Sequence, residues 1–375
     1  MMKRLLAFTL VLLSVVLAAA SDYVPRDLVW TTQSANSSGS MPCGGHDIGL
    51  NVWVEQGDVL FYAQQSGWVD ENNTLLKAGR WRLHVAGNPL NGTHFEQRLC
   101  LDDGAVYISG GGLQVCIWAD VQQPVVYVNI VSKLARSATL SYESWRWRDR
   151  PLTKAECQQC SYKWVLPANC TTFADSIAAL QHSLTFAHTN RDTTVFDFTV
   201  EREHLNAVKD SLDNPIGGRS MGGTMSAPGF RFAGTATGTY ASTDYKSWNF
   251  VARRLKNTTV SIALYNSEKC VTAVADCPPD ASASQLARQA AASRQRSAAW
   301  WHAFWQRSWI VTDNVEAHPM VRNYELMRYL LGCNAKGQWP TKFNGGLFTF
   351  DPVYVDSAMA FTPDYRKWGG GTMTA

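Results

Sequence analysis

The sequence lacks three features that would assign it to a common functional class. No apolar run after residue 20 reaches the about 20 residues needed to cross a bilayer, and the formal net charge is only +3. The eight histidines form no H-E-x-x-H or other zinc-binding spacing. A near-neutral chain has no electrostatic footprint for nucleic acid or an anionic membrane. We therefore expect neither of those partners, no metal and no cofactor.

Residues 1–20 have the pattern of a secretory signal peptide. Lys3 and Arg4 give a positive start, residues 5–17 form a short apolar run, and residues 18–20 are alanines suited to cleavage. The alternative, a membrane anchor, needs a longer apolar run. Removing this segment with its two cations lowers the formal charge from +3 to +1. The pattern predicts a secreted, extracellular protein.

Five Asn-x-Ser/Thr sequons agree with secretion. A single sequon arises easily by chance, but several in a chain with a signal peptide favour glycosylated surface loops. The predicted glycosylation sites are Asn36, Asn72, Asn91, Asn169 and Asn257.

The cysteines predict disulfides rather than a metal site. In an oxidising compartment most should be paired, although the sequence does not give the pairings. Cys157-x2-Cys160 with Cys170 resembles part of a zinc site, but no fourth ligand stands at a matching spacing. Cys270 and Cys277 could close a small loop. Because the count is odd, one thiol has no partner within this sequence. The nine cysteines are at 43, 100, 116, 157, 160, 170, 270, 277 and 333.

Residues 21–280 have the pattern of a large antiparallel β-sandwich. Short alternating or β-branched runs are separated by Gly, Pro and Asp turn signals, and no helical pattern alternates with them. The fold class predicted is mainly β, then α. The expected strands are 48–55, 59–64, 79–85, 95–101, 105–109, 113–119, 125–131, 138–147, 184–187, 194–200, 230–233, 248–254 and 258–265, with 174–180 at most a short helix or turn.

The composition changes near residue 281. Residues 281–307 are rich in Ala, Gln and Arg without Gly or Pro, which predicts a long helix within a linker, 281–315. We expect Trp300, Trp301 and Trp305 to dock that helix against the sandwich. A second helix is predicted from Pro319 to Gly332, within a last unit of residues 316–375.

Three local patterns suggest sites but lack the context that those sites need. Residues 218–222 match G-x-S-x-G, yet the flanks of Ser220 are loop-like where a nucleophile elbow needs a strand and then a helix. A serine esterase is therefore our third hypothesis. Residues 145–150 alternate Trp and Arg, which predicts an amphipathic strand rather than a nucleic-acid patch. Glu201 and Glu203, beside His204, are expected to share one face of a solvated strand edge.

The densest candidate site is residues 339–371. This stretch places Trp, Phe, Tyr, Lys, Asn, Asp and Arg among five glycines. Aromatic faces and planar hydrogen-bonding groups suit a pocket for a polar, ring-shaped ligand. The alternative is a Gly-rich surface loop whose aromatic residues anchor it to the core.

Several of these motifs together resemble a known group of proteins. They are residues 41–53, 66–72, 76–80, 301–309, 340–346 and 364–370. The combination resembles the N-terminal β-supersandwich domain of an uncharacterised, glycosidase-like secreted family. In that family the β-domain precedes a six-hairpin (α/α)6 toroid, similar to the inverting α-L-fucosidases. The resemblance implies that residues 316–375 begin such a toroid.

The resemblance also implies a function in glycan chemistry. The full-length product would hydrolyse O-glycosidic bonds with inversion, and the acid and base would lie beyond Ala375, so this chain alone would be inactive. The alternative is a non-catalytic extracellular carbohydrate-binding or structural module. The side chains expected to contact sugar are Lys342, Asn344, Asp364, Arg366 and Trp368.

Overall fold

The computed structural model describes residues 23–160, 162, 167, 170–267, 283–339 and 347–366, without the side chains of 157–159 and 283. The predicted signal peptide lies outside the described residues, as do Asn169, Cys270 and Cys277. Lys342, Asn344 and Trp368 of the predicted sugar site lie outside them as well. The described chain is mainly β, as the sequence predicts.

Fourteen strands form one hydrogen-bonded antiparallel network. A separate two-stranded ribbon pairs Arg150–Pro151 with Thr171–Thr172. The strands are β1 (Leu28–Trp30), β2 (Met41–Gly45), β3 (Ile48–Glu55), β4 (Asp58–Gln65), β5 (Gly79–Val85), β6 (Glu96–Cys100), β7 (Ala105–Gly110), β8 (Leu113–Ala119), β9 (Val125–Ser144), β10 (Arg150–Pro151), β11 (Thr171–Thr172), β12 (Ser176–Ala179), β13 (Ser183–Thr189), β14 (Ser220–Ser226), β15 (Arg231–Tyr240) and β16 (Thr243–Ser267).

Two long strands, β9 and β16, divide the network into two halves. The first part of β9 and the last part of β16 lie in the order β1-β6-β7-β8-β9-β16-β14-β13-β12. The other ends of the same strands lie between β5 and β15, and β5 continues to β4, β3 and β2. Register shifts between Ala252 and Asn257 of β16 mark the passage from one half to the other. Strands that change sheet at such irregularities are typical of large sandwiches.

One hydrophobic core joins the two halves. Leu50 and Phe61 from one half and Ile117 and Val128 from the other belong to a single buried cluster. Alternating strand residues supply this core because successive side chains point to opposite faces of a sheet. We call residues 23–267 the β-domain.

Two predicted elements were wrong. Residues 194–200 are not a strand, because Val195–Arg202 forms a helix, α1, that also contains Glu201. Its start is a capping box, in which Thr194 accepts from the Phe196 amide and Asp197 accepts from the Thr194 amide. Residues 174–180, expected as a short helix or turn, contain β12 instead, which pairs with β13.

The two predicted long helices are confirmed. They are α2 (Ala283–Trp305) and α3 (His318–Gly332). Trp301 and Trp305 of α2 are fully buried against the β-domain, and the Trp305 indole N–H donates to the carbonyl of Leu101 at 2.7 Å. Trp300 is half-buried and stacks on Phe304, with ring centroids 5.3 Å apart. Whether α3 begins an α/α toroid stays a prediction.

Close packing of α2 requires a glycine at residue 104. Gly104 has φ +69, and a Cβ there would lie 2.0 Å from the indole nitrogen of Trp301. Only glycine tolerates both this conformation and this approach. In the described part of the chain, no helix is long and apolar enough to span a membrane.

Four of the described cysteines, Cys43, Cys100, Cys116 and Cys333, are present as thiols. Burial raises the pKa of Cys43 to about 12, and Cys43 and Cys333 are both completely buried. The predicted disulfides therefore receive no support from these four residues and stay a prediction.

Candidate functional site

Residues 347–366, which we call the C-terminal segment, are, with Trp339, the described part of the stretch predicted to bind sugar. The segment lies on the β-domain and is held near both of its ends by buried carboxylates, Asp351 and Asp364. Each of these carboxylates accepts hydrogen bonds from β-domain residues, and these contacts fix where the segment runs.

Asp364 is 3% exposed and accepts three hydrogen bonds. One oxygen accepts from the backbone N–H of Lys77 at 2.7 Å. The other accepts from the Trp145 indole at 2.6 Å and from the Arg146 guanidinium at 2.7 Å. Charge-assisted bonds of this kind are the strong ones in proteins. The carboxylate thus serves first to hold Trp145 and Arg146 in place.

Arg366 is equally buried. Its guanidinium donates to the Leu75 carbonyl at 2.7 Å and to the side-chain oxygen of Gln64. Burial lowers the pKa of Arg366 to about 10, although Asp364 partly opposes that shift. Two of the five residues predicted to contact sugar are therefore directed at protein groups in this structure.

Asp351 fixes the other end of the segment. It accepts from the hydroxyl of Tyr62 at 2.8 Å and from the hydroxyl of Ser37. Burial raises the pKa of Asp351, and Arg80 and these hydrogen bonds oppose the rise. Nearby Lys77 is fully buried, and burial lowers the pKa of its amine well below the usual range. Its side-chain nitrogen donates to the Thr349 hydroxyl at 3.2 Å.

A chain of alternating charges runs from Asp364 into the β-domain. Arg146 pairs with Asp364 at 2.7 Å and with Asp175 at 3.0 Å. His188 lies between Asp175, at 3.0 Å, and Glu71, at 3.3 Å. Burial disfavours the imidazolium, but the hydrogen bonds to the two carboxylates outweigh it and raise the pKa of His188 to about 10. Each buried charge thus has a partner, as buried ion pairs require.

A cavity with a volume of about 320 Å³ lies near the segment. Three separate parts of the chain form it: residues 145–156, the turn between β15 and β16, and residues 360–362. We call it the Trp147 cavity. Its lining residues are Trp145, Trp147, Arg148, Arg150, Thr153, Glu156, Ser242, Thr243, Asp244, Ala360, Phe361 and Thr362.

Asp364 borders a smaller void next to the Trp147 cavity. That void has a volume of about 10 Å³, roughly the space of one water. It shares Trp145, Arg148 and Arg150 with the larger cavity. Asp364 therefore lies one layer behind the Trp147 cavity.

The wall of the cavity combines indole faces with charged pairs. Arg150 makes two bonds of 2.8 Å to Glu156. The Arg148 guanidinium lies 4.7 Å from the centre of the Trp147 ring. It also lies 3.8 Å from the carboxylate of Asp244. Such a lining can pack against the apolar face of a ring and bind polar groups on its rim.

A strained turn carries one side of the cavity. Ala241 and Ser242 join β15 to β16 with φ values of 50° and 67°, which non-glycine residues rarely adopt. The next residue, Thr243, donates from its hydroxyl to the carbonyl of Phe361 at 3.2 Å. Strain of this kind concentrates at functional sites. Here it places Ser242, Thr243 and Asp244 against the cavity.

The sequence did not reveal this cavity. Residues 145–150 were predicted as an amphipathic strand, but β9 ends at Ser144 and residues 145–149 are irregular. Trp145 and Arg146 are consequently both buried. The indoles of Trp145 and Trp147 line the cavity together with Arg148 and Arg150. The only sequence signal was the density of Trp and Arg in six residues.

Ser220 does not form a nucleophile elbow. It begins β14 instead of standing between a strand and a helix, and it is 1% exposed. Its hydroxyl lies 3.1 Å from that of Thr189 and 3.3 Å from that of Tyr265, which supplies no general base. Among the described residues no group of His, Cys, Asp and Glu is arranged to hold a metal ion.

The predicted glycosylation sites differ in exposure. Asn91 and Asn257 are exposed and Asn36 is half-exposed. Asn72 is 3% exposed, and its amide nitrogen donates to the carbonyl of Thr171 at 2.8 Å. A glycan on that nitrogen needs space that this buried position does not offer.

Comparisons with known proteins give a family but no activity. No curated protein matches the chain. Among 42 matching chains of solved structures is one described as "Putative kojibiose phosphorylase from human microbiome". It has a TM-score of 0.40 and 9% sequence identity, and the match covers 87% of this chain. Because it covers only 44% of that structure, this chain spans less than half of its length.

A structural similarity at this TM-score does not support an assignment of function. The family described as "Domain of unknown function (DUF5703)" matches residues 29–310, which is most of the chain and includes nearly all of the β-domain and α2. The chain therefore belongs to that family.

Proposed function

We propose that this chain is the saccharide-binding N-terminal part of a secreted, glycoside hydrolase-like protein. The observation that carries the proposal is the Trp147 cavity, whose volume of about 320 Å³ lies in the range of small-molecule sites. Two indoles line the cavity, and hydroxyl and charged side chains surround them. A sugar presents the complementary surface, with apolar C–H faces and a rim of hydroxyl groups.

The C-terminal segment takes part by shaping the cavity. Residues 360–362 line it directly, and Asp364 fixes Trp145 behind it. In this proposal Asp364 and Arg366 position the wall. Lys342, Asn344 and Trp368 are proposed as direct sugar contacts on the flanks of the segment.

Catalysis, in this proposal, belongs to the longer protein. Inverting hydrolysis needs an acid and a base whose carboxyl groups are about 6.5–9.5 Å apart, with a water between them and the sugar. We place that pair beyond Ala375 and expect this chain alone to bind without turnover.

A second candidate is a non-catalytic extracellular carbohydrate-binding module. The observation that favours it is that described residues alone form the Trp147 cavity, mostly from the β-domain. Both candidates predict binding by this chain. They differ in whether a longer product of the same gene hydrolyses what the chain binds.

Binding is tested with the chain expressed for secretion. Saturation-transfer NMR with a panel of mono- and disaccharides should show binding, which Trp147→Ala should weaken. Trp309→Ala is the matched control, because Trp309 is 43% exposed and stacks on Tyr23 away from the cavity. Aryl glycosides should show no turnover with this chain. The proposal is refuted if no saccharide binds, or if both variants bind equally well.

A further inference from the structure

This inference rests on the proposed saccharide site and names its ligand class. We infer that the Trp147 cavity selects neutral saccharides over anionic ones, and that Arg148 and Asp244 are the residues that determine this selectivity. Four charged side chains line the cavity. Two of them are cationic, Arg148 and Arg150, and two are anionic, Glu156 and Asp244, so the wall has no net charge to attract an ion.

One of the two pairs is closed. Arg150 donates twice to Glu156, at 2.8 Å each. Glu156 also accepts from the amide and the hydroxyl of Thr153, at 3.1 and 3.0 Å, and it is 1% exposed. A bidentate ion pair with this many hydrogen bonds has few donors and acceptors left for a ligand. Its role is to hold the shape of the wall.

The second pair is open. Arg148 and Asp244 are 3.8 Å apart, beyond hydrogen-bond distance, and their side chains are 61% and 64% exposed. Within the described part of the chain the Arg148 guanidinium makes no hydrogen bond and rests on the Trp147 ring. Asp244 accepts one bond, from the hydroxyl of Thr239 at 2.8 Å. The cavity therefore presents a donor beside an acceptor, both with capacity to spare.

Neighbouring hydroxyl groups on a sugar ring fit such a pair. Each hydroxyl both donates and accepts, so one can accept from Arg148 while the next donates to Asp244. A carboxylate or sulfate only accepts. The anionic group of a charged sugar could accept a hydrogen bond from Arg148. It would then place its own negative charge close to that of Asp244, which is unfavourable. The open pair thus accepts a diol and rejects an anion.

The turn that carries Asp244 is held before any ligand arrives. Ala241 and Ser242 have positive φ values, and the Thr243 hydroxyl is bonded to the Phe361 carbonyl. An acceptor fixed in advance loses less conformational entropy on binding. This rigidity makes the charge of Asp244 hard to move away from an anionic ligand.

The test compares matched saccharides by isothermal titration calorimetry. Neutral hexoses and disaccharides are paired with the corresponding hexuronic acids, using the secreted chain and three variants. Arg148→Ala should weaken neutral binding at least tenfold. Asp244→Asn should weaken it as well, and should bring the uronate to within about threefold of its neutral partner, because the like charge is gone. Arg98→Ala is the control, since Arg98 is a half-exposed arginine on Tyr107.

We expect the unaltered chain to bind the neutral sugar at least tenfold more tightly than the uronate. The inference is overturned if saccharides bind but the uronate binds as tightly, or if Asp244→Asn leaves the selectivity unchanged. If no saccharide of either charge binds, the proposed function fails together with this inference. Melting temperatures within 2–3 °C of the unaltered chain, as expected for exposed side chains, show that each variant is folded.

Discussion

Replacing Asp364 with asparagine tests whether one carboxylate holds the C-terminal segment against the β-domain. The substitution keeps the size of the side chain but removes its charge. Asp364 accepts from the Lys77 amide, the Trp145 indole and the Arg146 guanidinium, all within 2.6–2.7 Å. An asparagine offers one acceptor in place of two and turns an N–H₂ group toward one of these donors.

The expected loss follows from the burial of both partners. Arg146 is 4% exposed and would keep only Asp175 as a counter-charge. Breaking a buried ion pair costs about 3–5 kcal/mol, and a buried donor left unpaired costs about 1–3 kcal/mol. These losses overlap, and the remaining oxygen restores part of them. We therefore expect the free energy of unfolding to fall by about 3 kcal/mol.

Urea unfolding followed by tryptophan fluorescence measures this change. Asp356→Asn is the matched control, because Asp356 lies on the same segment, is exposed and bonds only locally to the Ala358 amide. The control should change stability by less than about 0.5 kcal/mol. Limited proteolysis should also cut Asp364→Asn faster within residues 347–366. Equal stability of the two variants would refute the role given to Asp364.

Three further predictions concern the β-domain and its surface. Asp175 and Glu71 raise the pKa of His188 to about 10 against the effect of burial. The interactions of the charged His188 therefore stabilise the fold in full below about pH 6.5. That contribution is lost as the pH rises to about 10. The difference in free energy of unfolding between the unaltered chain and His188→Gln should therefore shrink over this range, and a constant difference would contradict the charged state. Gly104→Ala should destabilise the protein by about 2–3 kcal/mol in thermal or urea unfolding, because its Cβ would meet Trp301. Gly218→Ala, at φ +64 with no atom within 4 Å, should cost only the backbone strain, about 1 kcal/mol. Glycopeptide mapping of the secreted chain should find glycans on Asn36, Asn91 and Asn257 but not on buried Asn72, and an occupied Asn72 would contradict the burial of that side chain.

Three short strands were the part of the fold that the sequence predicted best. Residues 48–55, 79–85 and 113–119 form β3, β5 and β8 with the predicted bounds. Their β-branched and aromatic side chains suit a pleated surface that packs against a core. Helix α2 was predicted for a similar reason, since 23 residues without Gly or Pro carry a strong local signal.

Local pattern failed where a cap or a distant contact decided the structure. Val195, Phe196 and Val200 favour a strand by propensity, yet the capping box of Thr194 and Asp197 starts α1 there. The continuity of β9 and β16 could not be predicted, because their two halves pair with different strands. Each half looked like a separate strand.

The candidate site was predicted in part. Residues 339–371 were singled out for their aromatic and polar content, and residues 360–362 do line the Trp147 cavity. Asp364 and Arg366, however, point at the β-domain. The rest of the wall comes from residues about 100 and 200 positions away along the chain, and sequence spacing gives no access to contacts between such distant segments.

The most direct test of the account is to locate a bound saccharide. A crystal structure of the secreted chain soaked with a neutral saccharide identified by calorimetry should show the ligand in the Trp147 cavity. The sugar ring should lie against an indole of that cavity, with neighbouring hydroxyls on Arg148 and Asp244. A saccharide bound elsewhere on the chain, with the Trp147 cavity empty, would contradict the assignment of the site.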